Sequence, residues 1–301
     1  MKNLKVENFG MVDVDRNAQR TQIERIGALM RNGSADRRGA FAAMCELTPI
    51  AEGVKFEEVN ESDARGFRAI PPNADPARAA FYIHGGGYSS GDAACFRGLI
   101  SQIAVRIRCV VFAVDYPLAP EARFPAAYYC VRQARDWFAD GAYGSYMLIG
   151  DSAGGGLALA LLADPGSARA PSSVIVMSPW TDLALTGSSF NDAETLDPLF
   201  KPEVLAGLAK VYLDGADPKD PRASPLYGVP DSSPPLLIQV GTAELLLDDS
   251  KRYAEAAARC GTDVTLQLFE GGHHVFQRDI GTLGIADVAL EHVEKFAKAY
   301  A

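Results

Sequence analysis

Apolar positions along this chain follow two rhythms. Short unbroken runs, such as Ala79-Ala-Phe-Tyr-Ile83 and Tyr146-Met-Leu-Ile149, have the pattern of strands buried on both faces of a sheet. Between them, apolar residues recur at helical spacing. The runs predict strands over 54–60, 65–70, 79–83, 109–114, 146–149, 174–178, 236–240 and 264–269. The helical spacing predicts helices over 93–107, 125–139, 153–163, 247–260 and 284–299. Such alternation specifies an α/β fold with a mostly parallel sheet, here of eight strands, flanked by helices. The first two strands follow one another without a helix, so they are expected to form an antiparallel edge.

Two stretches break the rhythm. Residues 1–48 are helical in pattern over 16–31 and 36–47, with a break at Asn32-Gly33-Ser34 where Ser34 is placed to cap the second helix. Residues 183–228 are irregular and partly helical, rich in Pro, Asp and Gly. We expect both segments to form a helical cap over the carboxyl end of the sheet, where open α/β folds bind ligands. Residues 49–182 and 229–301 then make up the α/β domain.

Composition narrows the class of function. The chain has 301 residues, of which 48% are hydrophobic, enough for one large domain with a buried sheet. A net charge of −9 without any basic run argues against nucleic acid as a partner. No apolar stretch reaches the ~18 residues of a membrane span. The N-terminus, Met1-Lys-Asn-Leu-Lys-Val-Glu-Asn8, lacks the apolar core of a signal peptide. Cys45, Cys95, Cys109, Cys130 and Cys260 are scattered, without C-x-x-C spacing. They read as reduced thiols of a cytoplasmic protein and not as metal ligands. Asp214, Asp217, Asp220 and Asp231 lack calcium-loop spacing and read as a solvated surface segment.

Two segments carry chemistry. Gly150-Asp151-Ser152-Ala153-Gly154 lies between a strand pattern and a helix pattern, the context a G-x-S-x-G elbow needs to lift a serine hydroxyl out of a sharp turn. His84-Gly85-Gly86-Gly87 ends an earlier strand and offers backbone N–H groups to a developing oxyanion. Ser152 is thus the candidate nucleophile, with Gly85, Gly86 and Ala153 as oxyanion donors. A serine needs a general base. Of the four histidines, His84 belongs to the glycine loop and His292 to the final helix. His273 and His274 follow the last strand, and His274 is favoured because Val275-Phe276 place a packing residue two positions on. The acid should stand between 152 and 274 at a strand end. Glu244 comes first after the strand over 236–240. Asp248 and Asp249 suit the start of the next helix, while Asp182 and Asp263 remain further alternatives. Tyr88 and Trp180, each just after a motif segment, are candidates to line the pocket, with core packing as the alternative. Glu121 is expected to brace the glycine loop, and Asp151 to hydrogen-bond to neighbouring loops. No metal or organic cofactor is expected.

Together these residues resemble the hormone-sensitive-lipase family of α/β-hydrolases over about 79–276. Further blocks carry the resemblance: Asp115-Tyr-Pro-Leu-Ala-Pro-Glu121, Phe124-Pro125-Ala-Ala127, Ser178-Pro-Trp-Thr-Asp182, Ser224-Pro-Leu226 and His274-Val-Phe276. One position departs. The family usually reads Asp-x-Leu-x-Asp at the acid, and this chain reads Glu244-Leu-Leu-Leu-Asp248. The resemblance implies a serine carboxylesterase acting on short-to-medium acyl esters through an acyl-enzyme, and a homodimer. A lactone or amide hydrolase with the same triad, or a ligand-binding member without catalysis, are the alternatives.

Overall fold

The computed structural model of the chain describes residues 3–33, 36–164, 166, 168–191 and 197–300. Its strands are β1 (Leu4–Phe9), β2 (Lys55–Asn60), β3 (Arg65–Ile70), β4 (Arg78–Ile83), β5 (Val110–Val114), β6 (Ser145–Asp151), β7 (Ser173–Met177), β8 (Leu236–Gly241) and β9 (Val264–Phe269). The helices are α1 (Asp13–Asn32), α2 (Arg37–Cys45), α3 (Arg97–Ile107), α4 (Ala126–Ala139), α5 (Ser152–Ala163), α6 (Ser188–Asn191), α7 (Pro202–Leu213), α8 (Leu247–Arg259) and α9 (Gly284–Ala299).

The strands form one sheet in the order β1-β9-β8-β7-β6-β4-β5-β3-β2. It is parallel throughout except where β3 pairs antiparallel with β2 and β5, the edge that the missing helix predicted. Side chains of the central strands alternate between two cores, as the period of two requires. Phe81, Ile83, Leu148, Val176 and Ile238 face α4, α5 and α8. Ala80, Tyr82, Ile149, Ile175 and Leu237 face α3 and α9. Both faces are covered, which is why these strands read as continuous apolar runs.

The sequence reading needs two corrections here. The sheet has nine strands among the described residues, not eight, because Leu4–Phe9 pairs parallel with β9 from Leu4↔Val264 to Phe9↔Phe269. The first 48 residues are therefore not helical throughout. β1 is a half-exposed edge strand, so its apolar content is too low to announce it. The expected Ser34 cap lies outside the described residues. Asp36 caps α2, its carboxylate accepting from the Gly39 N–H at 2.9 Å.

Register positions the chemistry. Ile83 at the end of β4 lies opposite Gly150 of β6, so the H-G-G-G turn and the serine elbow leave the sheet side by side. Gly241 of β8 lies opposite Phe269 of β9, which does the same for the loops carrying Glu244 and His274. All four loops emerge at the carboxyl ends of parallel strands.

Candidate active site

Ser152 opens α5 with φ +52°, in the left-handed region that a strand-to-helix elbow forces on its central residue. The turn closes this tightly because Gly154 has no side chain. A Cβ there would lie 2.1 Å from the Ile83 carbonyl oxygen of β4. Ser152 is 8% exposed, and its hydroxyl lies 2.8 Å from Nε2 of His274. Nδ1 of His274 lies 2.6 Å from Oε2 of Glu244, which is fully buried. The other carboxylate oxygen accepts from the Ser178 hydroxyl at 2.8 Å and from the Gly241 N–H at 2.9 Å. Phe200 packs edge-on against the His274 ring, with centroids 5.3 Å apart. Three segments distant in sequence thus form one hydrogen-bonded line.

The alternative acids are engaged elsewhere. Asp248 accepts from the Ser189 N–H at 3.0 Å. Asp249 accepts from the N–H groups of Thr181 and Asp182 at 2.7 and 2.8 Å. Burial pushes its carboxyl up to about 8, against the pull of those two donors. Asp182 pairs with Arg252 at 2.9 Å, and among the described residues the Asp263 carboxylate accepts only from the Tyr300 hydroxyl, at 3.4 Å. His273, the neighbour of His274, turns away to Asp279 at 3.1 Å.

Two sequence assignments change. The Gly85 N–H donates to Oδ1 of Asp151 at 2.9 Å, beside the Tyr82 hydroxyl at 2.6 Å. Gly85 is thus a strut for the loop and not an oxyanion donor, because the elbow carries Asp151 directly beneath it. The next N–H groups, of Gly86 and Gly87, have no acceptor among the described residues, and both glycines line the cavity described below. Gly86 has φ +116°, and a Cβ there would lie 1.9 Å from the Ser90 carbonyl oxygen. Ala153 stands in the first turn of α5, where N–H groups lack intrahelical acceptors. The second change concerns Tyr88. It is buried against Tyr212, with ring centroids 3.9 Å apart, and supports the wall without lining it.

A cavity of about 700 Å³ opens onto Ser152 and His274. Trp180 lines it, together with Met30 of α1, Phe41 of α2, and Phe200 and Leu208 on the 183–228 side. Among the described residues the Glu121 carboxylate makes no hydrogen bond to the glycine loop itself. It binds Arg38 of α2 at 3.0 and 2.6 Å, and Arg38 Nε donates to the Ser89 carbonyl just beyond the loop. A larger surface recess of about 990 Å³, bordered by Arg68 and Trp137, contains none of these groups.

Sequence reasoning missed Ser178, Phe200 and Arg38. Ser178 lies inside a block that carried the resemblance, so a signal for it existed. Phe200 and Arg38 stand in no motif, and only the fold brings them to the site.

The α/β-hydrolase class follows from the strand order and the elbow together, and comparison with known proteins agrees. A family described as having the alpha/beta hydrolase fold matches residues 80–278. An esterase of Acinetobacter venetianus is 37% identical over 267 residues, covering 86% of this chain and 87% of that one. An acetyl-hydrolase of Streptomyces hygroscopicus is 37% identical over 212 residues, covering 69% and 71%. The crystal structure of an esterase from the bacterial hormone-sensitive lipase family superposes with a TM-score of 0.86 at 32% identity, covering 93% of this chain and 98% of that one. A hormone-sensitive-lipase homologue from a metagenome library gives 0.85 at 32% identity, covering 96% and 99%. The chain belongs to the alpha/beta hydrolase family. Within it, this is a carboxylic ester hydrolase of the bacterial hormone-sensitive-lipase type. Among the described residues, no helix is long and apolar enough to cross a membrane.

Proposed function

We propose that the protein hydrolyses short-to-medium acyl esters through Ser152, His274 and Glu244, by way of an acyl-enzyme. Ser152 Oγ attacks the ester carbonyl while His274 Nε2 takes its proton, and the same imidazolium then protonates the departing alcohol. Glu244 accepts from Nδ1–H, which fixes the tautomer that leaves Nε2 basic, and it stabilises the imidazolium. The N–H groups of Gly86 and Ala153, with Gly87 beside them, hold the tetrahedral oxyanion. Each such donor is worth on the order of 10²–10³ in rate. Water then cleaves the acyl-enzyme by the reverse proton path.

One observation carries this reading: the unbroken line Ser152–His274–Glu244 at 2.8 and 2.6 Å, opening onto a mainly apolar cavity. A cavity of about 700 Å³ suits a small ester, and a relative named acetyl-hydrolase supports a short acyl group. We take α1, α2 and the 183–228 segment as the cap, starting after β1. Its support is that Met30, Phe41 and Leu208 share one cavity wall. Scattered free cysteines support a cytoplasmic location. A homodimer rests on the family resemblance and is read by light scattering.

Fluorophosphonate labelling, followed by peptide mapping, tests the nucleophile. A series of 4-nitrophenyl esters from acetate to decanoate tests the acyl range. We expect label on Ser152 and a rate of folded Ser152→Ala lowered roughly 10⁴–10⁶-fold. A folded Ser152→Ala protein as active as the parent would end the reading.

A further inference from the structure

The cavity wall holds a cation that the reaction above does not use. Arg278 sits in the 3₁₀ turn Phe276–Asp279, shortly after His274, and lines the same cavity as Ser152. Its side chain is partly buried. Among the described residues it forms no ion pair. Nη1 lies instead 3.9 Å from Sγ of Cys45, at the end of α2. Burial pushes the Cys45 thiol up to about 11, so this sulfur is uncharged near neutral pH.

The other charges of the wall do not answer Arg278. Glu121 is held by both terminal nitrogens of Arg38. Arg37 and Glu203 are exposed, on α2 and α7. Asp151 is buried in the elbow and accepts from Tyr82 and Gly85. Burial raises its carboxyl above the ordinary value, and the Arg278 charge pulls the other way from beyond ion-pair distance. A partly dehydrated guanidinium without a contacting anion is costly to hold. Its planar fork matches a carboxylate in two parallel hydrogen bonds.

We propose that Arg278 is a specificity-determining residue that binds a carboxylate on the substrate, so that the site favours esters bearing a second, ionised acid group. Half-esters of dicarboxylic acids carry that group on the acyl arm, and esters of hydroxy acids or carboxyphenols carry it on the alcohol arm. The chemical step is unchanged: ester and water give acid and alcohol at Ser152, and Arg278 makes or breaks no bond. The inference rests on the esterase reading above.

Two substrate pairs test it on the intact chain. For the acyl arm, 4-nitrophenyl hydrogen glutarate is compared with 4-nitrophenyl pentanoate. For the alcohol arm, 4-carboxyphenyl butyrate is compared with phenyl butyrate. Arg278→Met should lower kcat/KM for the charged member of one pair by about 10- to 100-fold, mainly through KM, and change its neutral partner by less than about threefold. Arg278→Lys should fall between, since it keeps the charge and loses the fork. Added salt should weaken the preference of the parent protein. If Arg278→Met lowers charged and neutral esters alike, the residue serves only Asp151 or the packing, and the inference fails. It fails equally if neither pair responds. Failure of the esterase reading looks different, because the parent protein would then turn over no neutral ester, and both ideas would fall together.

Discussion

The Ser178 hydroxyl donates to Oε1 of Glu244 at 2.8 Å, on the carboxylate oxygen opposite the one that meets His274. The same hydroxyl accepts from the Val275 N–H at 3.1 Å, one residue beyond the base. One side chain at the end of β7 therefore holds both Glu244 and the loop that carries His274. Its own backbone is at φ +47°, a left-handed conformation kept by these partners.

Ser178→Ala removes a charge-assisted hydrogen bond and leaves the buried Val275 N–H without its acceptor. We expect kcat to fall about 5- to 50-fold, with KM for a neutral ester little changed. Steady-state kinetics on 4-nitrophenyl butyrate reads this directly. An unaltered kcat would show that Gly241 alone suffices to orient the carboxylate.

The acid is tested by contrast. Glu244→Gln keeps the shape but offers Nδ1 an uncharged partner, which no longer stabilises the imidazolium. A loss on the order of 10³–10⁴ in kcat is expected, by analogy with triads that carry an amide at this position. Among the described residues the Asp248 carboxylate accepts only from the Ser189 N–H, so Asp248→Asn should stay within about threefold of the parent. Equal losses in the two variants would contradict the assignment of Glu244.

Glycine positions offer a matched pair for thermal melting. Gly154→Ala puts a Cβ 2.1 Å from the Ile83 carbonyl, so backbone must shift, and a loss of at least about 1–3 kcal/mol is expected. Gly207 lies inside α7, and a methyl group added there would meet nothing within 4 Å. Gly207→Ala should therefore stabilise by about 0.5–1 kcal/mol through helix propensity. A Gly154→Ala protein melting with the parent would refute the close approach of α5 to β4.

Asp249 ties stability to pH. Its carboxyl is raised to about 8 in the fold, chiefly by burial, from an ordinary value near 4 when unfolded. A raised pKa means the folded state binds the proton more tightly. This contribution is fully present below about pH 4 and is lost as pH rises through about 8. Asp249→Asn mimics the protonated form and retains an oxygen for the Thr181 and Asp182 N–H groups. Its Tm relative to the parent should rise steadily between pH 5 and pH 9. A difference that stays constant over that range would show that Asp249 is ionised throughout.

Much of the fold is legible in the chain because both faces of its central strands are covered. Ala79–Ile83 and Leu236–Gly241 are apolar at nearly every position, and no helix pattern competes for them. β1 escapes the same reasoning. Among the described residues only β9 pairs with it, and Val6 is 47% exposed. Nothing local reports that Leu4–Phe9 will meet a strand some 260 residues away. The loop donors fail for a similar reason. That Gly85 serves Asp151, leaving the next two N–H groups without an acceptor among the described residues, depends on how the elbow sets Asp151 against β4.

The sequence by itself determined the kinds of groups and their order: a serine between strand and helix, a carboxylate after the next-to-last strand, a histidine after the last. These are local matters of turn chemistry and apolar period. Which amides are left unengaged, which hydroxyl steadies the acid, and that Arg278 reaches the cavity of Ser152 were decided only by the tertiary structure. Such contacts join residues of different strands, and their distances are set by sheet register and helix packing, which no single segment encodes.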